Sequence, residues 1–133
     1  MDAVSFASLR EITELDRSLA VDGEDFTVRR VVGTNSPVNT DVSCRGFVRG
    51  YQPQELTTTI IQGDAKIILS PTQIIAGSWP GGAPPTGASA ALDQRVPRRG
   101  DKAVVQGKVL NIEAAAPIYL DNVLVRIELQ VRG

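Results

Sequence analysis

The chain has no histidine among its 133 residues. That removes the commonest general base and the commonest metal ligand together, so neither a Ser/His/Asp nor a Cys/His nucleophilic site can be built. A single cysteine, Cys44, excludes an internal disulfide and a cysteine metal cluster. With no histidine base nearby, it is expected to be a small buried hydrophobe. Aromatic residues make up only 5% of the chain, which leaves few platforms on which nucleobases could stack. The longest apolar runs, such as Ile67 to Leu69, are far too short to span a bilayer, and the N-terminus lacks the basic flank and apolar stretch of a signal peptide. The acids are scattered through turns and solvent-facing positions. No catalytic activity, metal or cofactor is therefore expected, and a cytoplasmic folding environment fits the lone thiol.

Charge is nearly balanced at −1 but unevenly spread: residues 1 to 25 hold seven acids against two bases, and the remainder holds eight acids against twelve bases. An acidic arm on a mildly basic body can guide self-association, and it is equally compatible with a solvated helix face.

The clearest pattern lies at the C-terminal end. Val123, Val125, Ile127, Leu129 and Val131 alternate with Arg126, Glu128, Gln130 and Arg132, the period of a strand with one buried face. Lys102 to Val105 and Lys108 to Glu113 flank Gln106-Gly107, and Asp121-Asn122 is a second turn of that kind, so the segment reads as a three-strand antiparallel meander.

Ser8 to Ala20 is the one helix candidate. Leu9, Ile12, Leu15 and Leu19 recur at helical spacing, Ser8 with Glu11 forms a capping box, and Gly23 is placed to end the helix; a start at Ser5 would add Phe6 to the stripe. Phe26 to Val32 and Asp41 to Gly50 read as strands, the second with Val42, Cys44, Gly46 and Val48 on one face and Arg45, Phe47 and Arg49 on the other. From Tyr51 to Gly63 a helical turn opened by Pro53 is expected to give way to a β-prone run over Thr57 to Ile61. A strand over Asp64 to Ser70 follows, then a short helical turn over Gln73 to Ala76.

Between Gly77 and Gly100 stand five glycines and four prolines, the composition of a long surface loop. Trp79 is expected to anchor this loop to the body or to meet a neighbouring subunit, and Arg95, Arg98 and Arg99 make its far end positive. Gly81-Gly82 lacks the setting of a phosphate-binding loop, and Arg99-Gly100-Asp101 reads as turn chemistry rather than an adhesion tripeptide. The whole is expected to be mainly β: one domain, a small antiparallel β-barrel with an N-terminal amphipathic helix and a long Gly/Pro-rich loop.

In their order these segments resemble the head–tail connector proteins of tailed bacteriophages, in particular the head-closure or stopper type. The resemblance covers most of residues 26 to 133 and rests on layout: an opening FTVRR strand, a VSCRGFVRG strand, a long exposed loop, a β-rich segment over Asp64 to Ser70, the GDKAVVQGKVLNIEA hairpin and the final strand. It implies a homo-oligomeric ring in the virion neck, assembled in the host cytoplasm, with a portal or adaptor ring above and tail proteins below. Packaged DNA would be met by proximity only, and no membrane is involved. Tyr51, Gln52, Gln54, Glu55, Thr57, Thr58, Thr59, Ile60 and Ile61 would then form a channel or gating loop, with Thr57 to Ile61 pairing as strands between subunits. Leu9, Ile12, Leu15, Leu19 and Trp79 would supply subunit contacts, and Arg45, Arg49, Arg98 and Arg99 a DNA-facing basic surface. An adaptor or tail terminator of the same neck, and a non-viral nucleic-acid-binding or adaptor barrel, are the alternatives.

Overall fold

The computed structural model describes residues 6–33, 35–81 and 93–133. The elements are α1 (Phe6–Asp22), β1 (Glu24–Val32), β2 (Val38–Gly50), a 3₁₀ turn (Pro53–Glu55), β3 (Ala65–Leu69), α2 (Thr72–Ala76), β4 (Lys102–Val105), β5 (Lys108–Leu120) and β6 (Val123–Arg132). The six strands close into an antiparallel barrel in the order β1-β2-β3-β6-β5-β4. Two three-strand meanders thus face each other, first strand against first (β1 with β4) and third against third (β3 with β6). The centre of the Gly/Pro-rich segment, residues 82 to 92, lies outside the described residues.

Alternation along each strand fills the interior. Phe26, Val28, Cys44, Ile67, Leu69, Ala103, Val105, Ile112, Ile127, Leu129 and Val131 form one core, closed by Ile74 of α2 and by Trp79 and Val96. Both hairpin turns of the second meander form as expected, with positive φ at Gln106 and Gly107 and at Asp121 and Asn122, the geometry that matches strand twist. β5 runs on past Glu113, where a bulge interrupts its pairing, and a register shift against Ile118 and Tyr119 leaves Val125 of β6 without a cross-strand partner. Leu124 and Val125 are consequently both buried.

The helix starts earlier than its capping-box signal. Phe6, the first described residue, is already helical, so Ser8 lies inside the helix rather than at its cap, and it is completely buried. Ser8, Ile12, Leu15 and Leu19 share one stripe at helical spacing, and this stripe faces the barrel; Leu9, one residue out of phase, is 53% exposed. The helix packs on β2 and β6. Asp16 ties it to the start of α2 by accepting hydrogen bonds from Ser70 Oγ at 2.5 Å and Thr72 Oγ1 at 2.7 Å.

Glycine at positions 23 and 46 is dictated by close approach. A Cβ on Gly23 would lie 2.5 Å from the Leu19 carbonyl oxygen and 2.9 Å from that of Gly46. A Cβ on Gly46 would lie 2.6 Å from Phe26 Cε1 and 3.0 Å from Ile67 Cγ2, inside a filled core. Gly46→Ala is expected to cost about 1–3 kcal/mol by overpacking. Part of that loss should return when Phe26→Leu is added, as read from urea unfolding midpoints. An unchanged midpoint for the single variant would mean that the Phe26 ring moves aside freely.

Candidate functional site

The Tyr51–Gly63 excursion leaves the end of β2 and returns to β3 through a turn in which Gly63 has φ +98°. Its first half follows expectation: Pro53 opens a 3₁₀ turn through Glu55. The Glu55 carboxylate accepts bonds from the Gln52 amide at 2.9 Å and from both Arg49 amino groups at 3.1 Å, and these hold its pKa down to about 2.

The second half departs from expectation, since Thr57 to Ile61 is not a strand. Thr57 Oγ1 accepts hydrogen bonds from the Thr59 and Ile60 amides at 3.2 and 3.1 Å, and the Thr57 amide donates to the Ile60 carbonyl at 2.9 Å. Backbone groups that strand pairing would need are thus used within the turn, a known competition between Thr side chains and the β ladder.

The excursion is latched to the barrel by three side chains. Gln130 Nε2 donates to the Thr59 carbonyl at 2.7 Å and to Asp64 at 2.9 Å, and Arg132 grips Asp64 through Nε at 2.7 Å and Nη2 at 2.9 Å. Asp64 also accepts the Ile61 amide at 3.1 Å. The Arg132 guanidinium and then the Gln130 and Ile61 donors draw the Asp64 carboxyl down to about pKa 2, against desolvation by burial. Beneath the loop is a cleft of about 360 Å³ lined by Tyr51, Glu55, Ile60, Lys66, Ala116 and Glu128, among others.

Acid should release this latch. Folding lowers the Asp64 carboxyl from an ordinary value near 3.8 to about 2, so on acidification the unfolded chain takes up the proton first. The stabilisation is complete above about pH 4 and is lost as pH falls through about 2. The Ile61 amide is expected to exchange faster across that window in the native chain. In Asp64→Asn the exchange should be fast already at neutral pH. Equal protection of Ile61 in both proteins would remove Asp64 from the latch.

The four arginines expected to form one basic surface do not act alike. Arg45 caps the C-terminal end of α1, donating to the Leu19 carbonyl at 2.9 Å and the Ala20 carbonyl at 3.2 Å, and it also meets Asp25 at 3.3 Å. Arg49 is engaged by Glu55 and lies over the Tyr51 ring at 5.9 Å. Only Arg98 and Arg99 are exposed, the latter with an 83% exposed side chain 3.9 Å from Glu113. Two of the four, Arg45 and Arg49, are thus engaged by carboxylates and helix carbonyls within the chain, and two, Arg98 and Arg99, stand exposed.

Trp79 is corrected as a subunit contact. It is 2% exposed, part of its own core, and its Nε1 donates to the Thr40 carbonyl at 2.8 Å. Of the helix residues proposed for neighbours, Leu19 is buried on the barrel, Ile12 and Leu15 are half-buried, and Leu9 is free.

The residues with the densest polar network went unnoticed in the sequence. Arg30 and Asp101, each with a side chain only 6% exposed, pair at 2.8 Å. Arg30 also donates to the Gln94 carbonyl at 3.1 Å and stacks 4.6 Å from the Trp79 ring centre, while Asp101 accepts the Arg98 amide at 2.9 Å. β1 and β4 pair Val28 with Ala103 and Arg29 with Lys102, so Arg30 with Asp101 is the next step of the same register. The signal was present: Arg30 shares the inward parity of Phe26 and Val28. Burial of Asp101 also removes the Arg99-Gly100-Asp101 tripeptide as an adhesion motif.

Cys44 is buried, and burial pushes its thiol up to about pKa 12. Among the described residues no three acidic or cysteine side chains gather as a metal-ion ligand set. No protein-family model and no curated protein matches the chain.

Proposed function

We propose that the chain is a structural subunit of a tailed-phage neck, of the head-closure type, which forms a ring between portal or adaptor and tail and helps retain packaged DNA. One observation carries the reading beyond resemblance: the barrel is closed, yet its projections carry exposed apolar side chains. These are Phe6, Leu9 and Val21 on α1, Val31, Val32 and Val38 at the β1–β2 hairpin, and Leu56 and Ile61 on the excursion. With the strands closed into a barrel, such projections are the apolar surfaces that reach furthest toward a neighbour, and they supply contacts through which assembly can proceed. A rigid barrel with adhesive projections suits a ring subunit, which meets neighbours alongside, above and below.

In this proposal the excursion is the part that reaches the axis or the adjoining ring. It would move as a latched loop, by giving up the Gln130 and Arg132 contacts, and not by strand pairing between subunits. Reconstruction of the assembled virion tests both levels. Density for this barrel as a ring between portal and tail is the expected result. Its absence from the neck would overturn the proposal, and an excursion on the outer rim, away from DNA and the next ring, would remove the gate while leaving a structural adaptor.

A further inference from the structure

The outward face of α1 is organised in a way that composition conceals. Residues 6 to 25 carry six acids and only two bases, Arg10 and Arg17. The two bases stand seven residues apart on the stripe Phe6, Arg10, Thr13, Arg17 and Val21, all exposed, with one acid, Glu14, at its border between them. Phe6 and Val21 at its ends are 90% and 76% exposed. Neither arginine has an ion-pair partner among the described residues. A basic stripe with apolar ends calls for an acidic surface with apolar patches. Two bases flanked by Glu11 and Glu14 match a small acidic patch with an apolar neighbour better than the continuous charge of nucleic acid or an anionic membrane.

The same chain offers the complementary surface. At the junction of α1 and β1 stand Asp22, Glu24 and Asp25, with Val21 beside them. Of these, Asp25 meets Arg45 with its own side chain still 86% exposed, Glu24 receives only the neutral Gln106 amide, and Asp22 is exposed. We infer that the outward stripe of α1 docks on the acidic α1–β1 junction of a second copy of this chain. Stripe and junction adjoin at Val21 and differ in charge; where each copy turns its stripe toward one neighbour and its junction toward the other the contact is heterologous, which generates a ring when the rotation closes. Ring closure rests on the function proposed above, whereas the pairwise contact does not.

Analytical ultracentrifugation of the whole chain at low and high ionic strength tests the contact, since exposed ion pairs weaken as salt rises. The native chain is expected to self-associate at low salt and to dissociate as salt is added. Arg10→Glu with Arg17→Glu should weaken association on the order of tenfold or more, and adding Asp22→Lys with Glu24→Lys to that chain should restore it. Arg10, Arg17 and Asp22 are exposed and Glu24, half-buried, gives up only the Gln106 contact, so circular dichroism should report an unchanged fold in every variant. Cysteine pairing sets the direction, because Cys44 is buried. A mixture of Arg17→Cys and Glu24→Cys chains should form an interchain disulfide that neither forms alone.

A chain that stays monomeric at all salt and protein concentrations would overturn the inference, as would association indifferent to the Arg10 and Arg17 reversals. Self-association that fits these results in a protein absent from the virion neck would sink the proposed function and leave the contact standing. A neck ring formed equally well by the reversed-charge chain would do the opposite.

Discussion

Replacing Arg30 by Met is expected to lower the unfolding free energy by about 3–5 kcal/mol, because Asp101 would be left buried without its counter-charge. The guanidinium is not a surface ornament. It contacts Asp101, the Gln94 and Val96 carbonyls and the Trp79 ring, so one side chain binds β1, the approach to β4 and the segment after α2. Asp101→Leu combined with Arg30→Met should cost clearly less than Arg30→Met alone, since removing both charges together spares the uncompensated carboxylate. Urea unfolding followed by circular dichroism measures all of these. A loss below about 1 kcal/mol for Arg30→Met, the range of an exposed pair, would show that water reaches Asp101 and that the pair is not a clamp.

Trp79→Ala should be comparably damaging, at about 3–5 kcal/mol for deletion of a large buried aromatic. The ring fills the barrel mouth beside Arg30, and its Nε1 satisfies the Thr40 carbonyl of β2. Truncation therefore opens a cavity, removes the Trp79 donor from that carbonyl and takes away the face on which the Arg30 cation rests. Trp79→Phe should recover most of the packing but not the hydrogen bond. Since Trp79 and Arg30 touch, the double variant Trp79→Ala with Arg30→Met should lose less than the two separate losses added. Calorimetric unfolding decides the matter. A shift in the melting temperature no larger than that of a surface substitution would return Trp79 to the loop and detach it from the core.

The fold was largely legible where local rules and long-range packing agree. The alternation of β6 and the turns at Gln106-Gly107 and Asp121-Asn122 each specify their geometry within a few residues, and the structure has them. The antiparallel barrel with one N-terminal helix followed from such elements. Thr57 to Ile61 misled because β propensity describes side chains on a pleated surface. Here the Thr57 hydroxyl captures the local amides first and turns the chain before any ladder can form. Of the two helix starts the sequence offers, the earlier one that includes Phe6 agrees with the structure; the Ser8–Glu11 spacing is a valid capping signal, but tertiary packing turns Ser8 toward the barrel.

The candidate site was less legible, since charge is assigned to partners by the fold. Arg45 and Arg49 look free in the sequence and are committed to the Leu19 carbonyl and to Glu55. Asp64 and Arg132 stand one step beyond the Ala65–Val131 pair at the same end of the β3–β6 pairing, but they are far apart in sequence, so no local pattern announces their latch. For Arg30 the inward parity was readable, but its partner lies at Asp101, across the Gly/Pro-rich segment.

The pairing of first strand with first and third with third fixes an order of events during folding. The second meander can zip through two tight turns and the first through one short loop and the longer excursion, whereas the joints between them bring together residues as remote as Thr27 and Val104, and the entropy of that closure must be met before its contacts exist. The β1–β4 joint spans only three residue pairs, with Arg30 and Asp101 standing at its end, so it is expected to form after the sheets it links. Interactions made after the folding barrier govern how fast the native state is left and not how fast it is reached. The buried clamp is in this sense a kinetic bolt: weakening it should steepen the rate at which closed barrels open while leaving their rate of formation nearly unchanged.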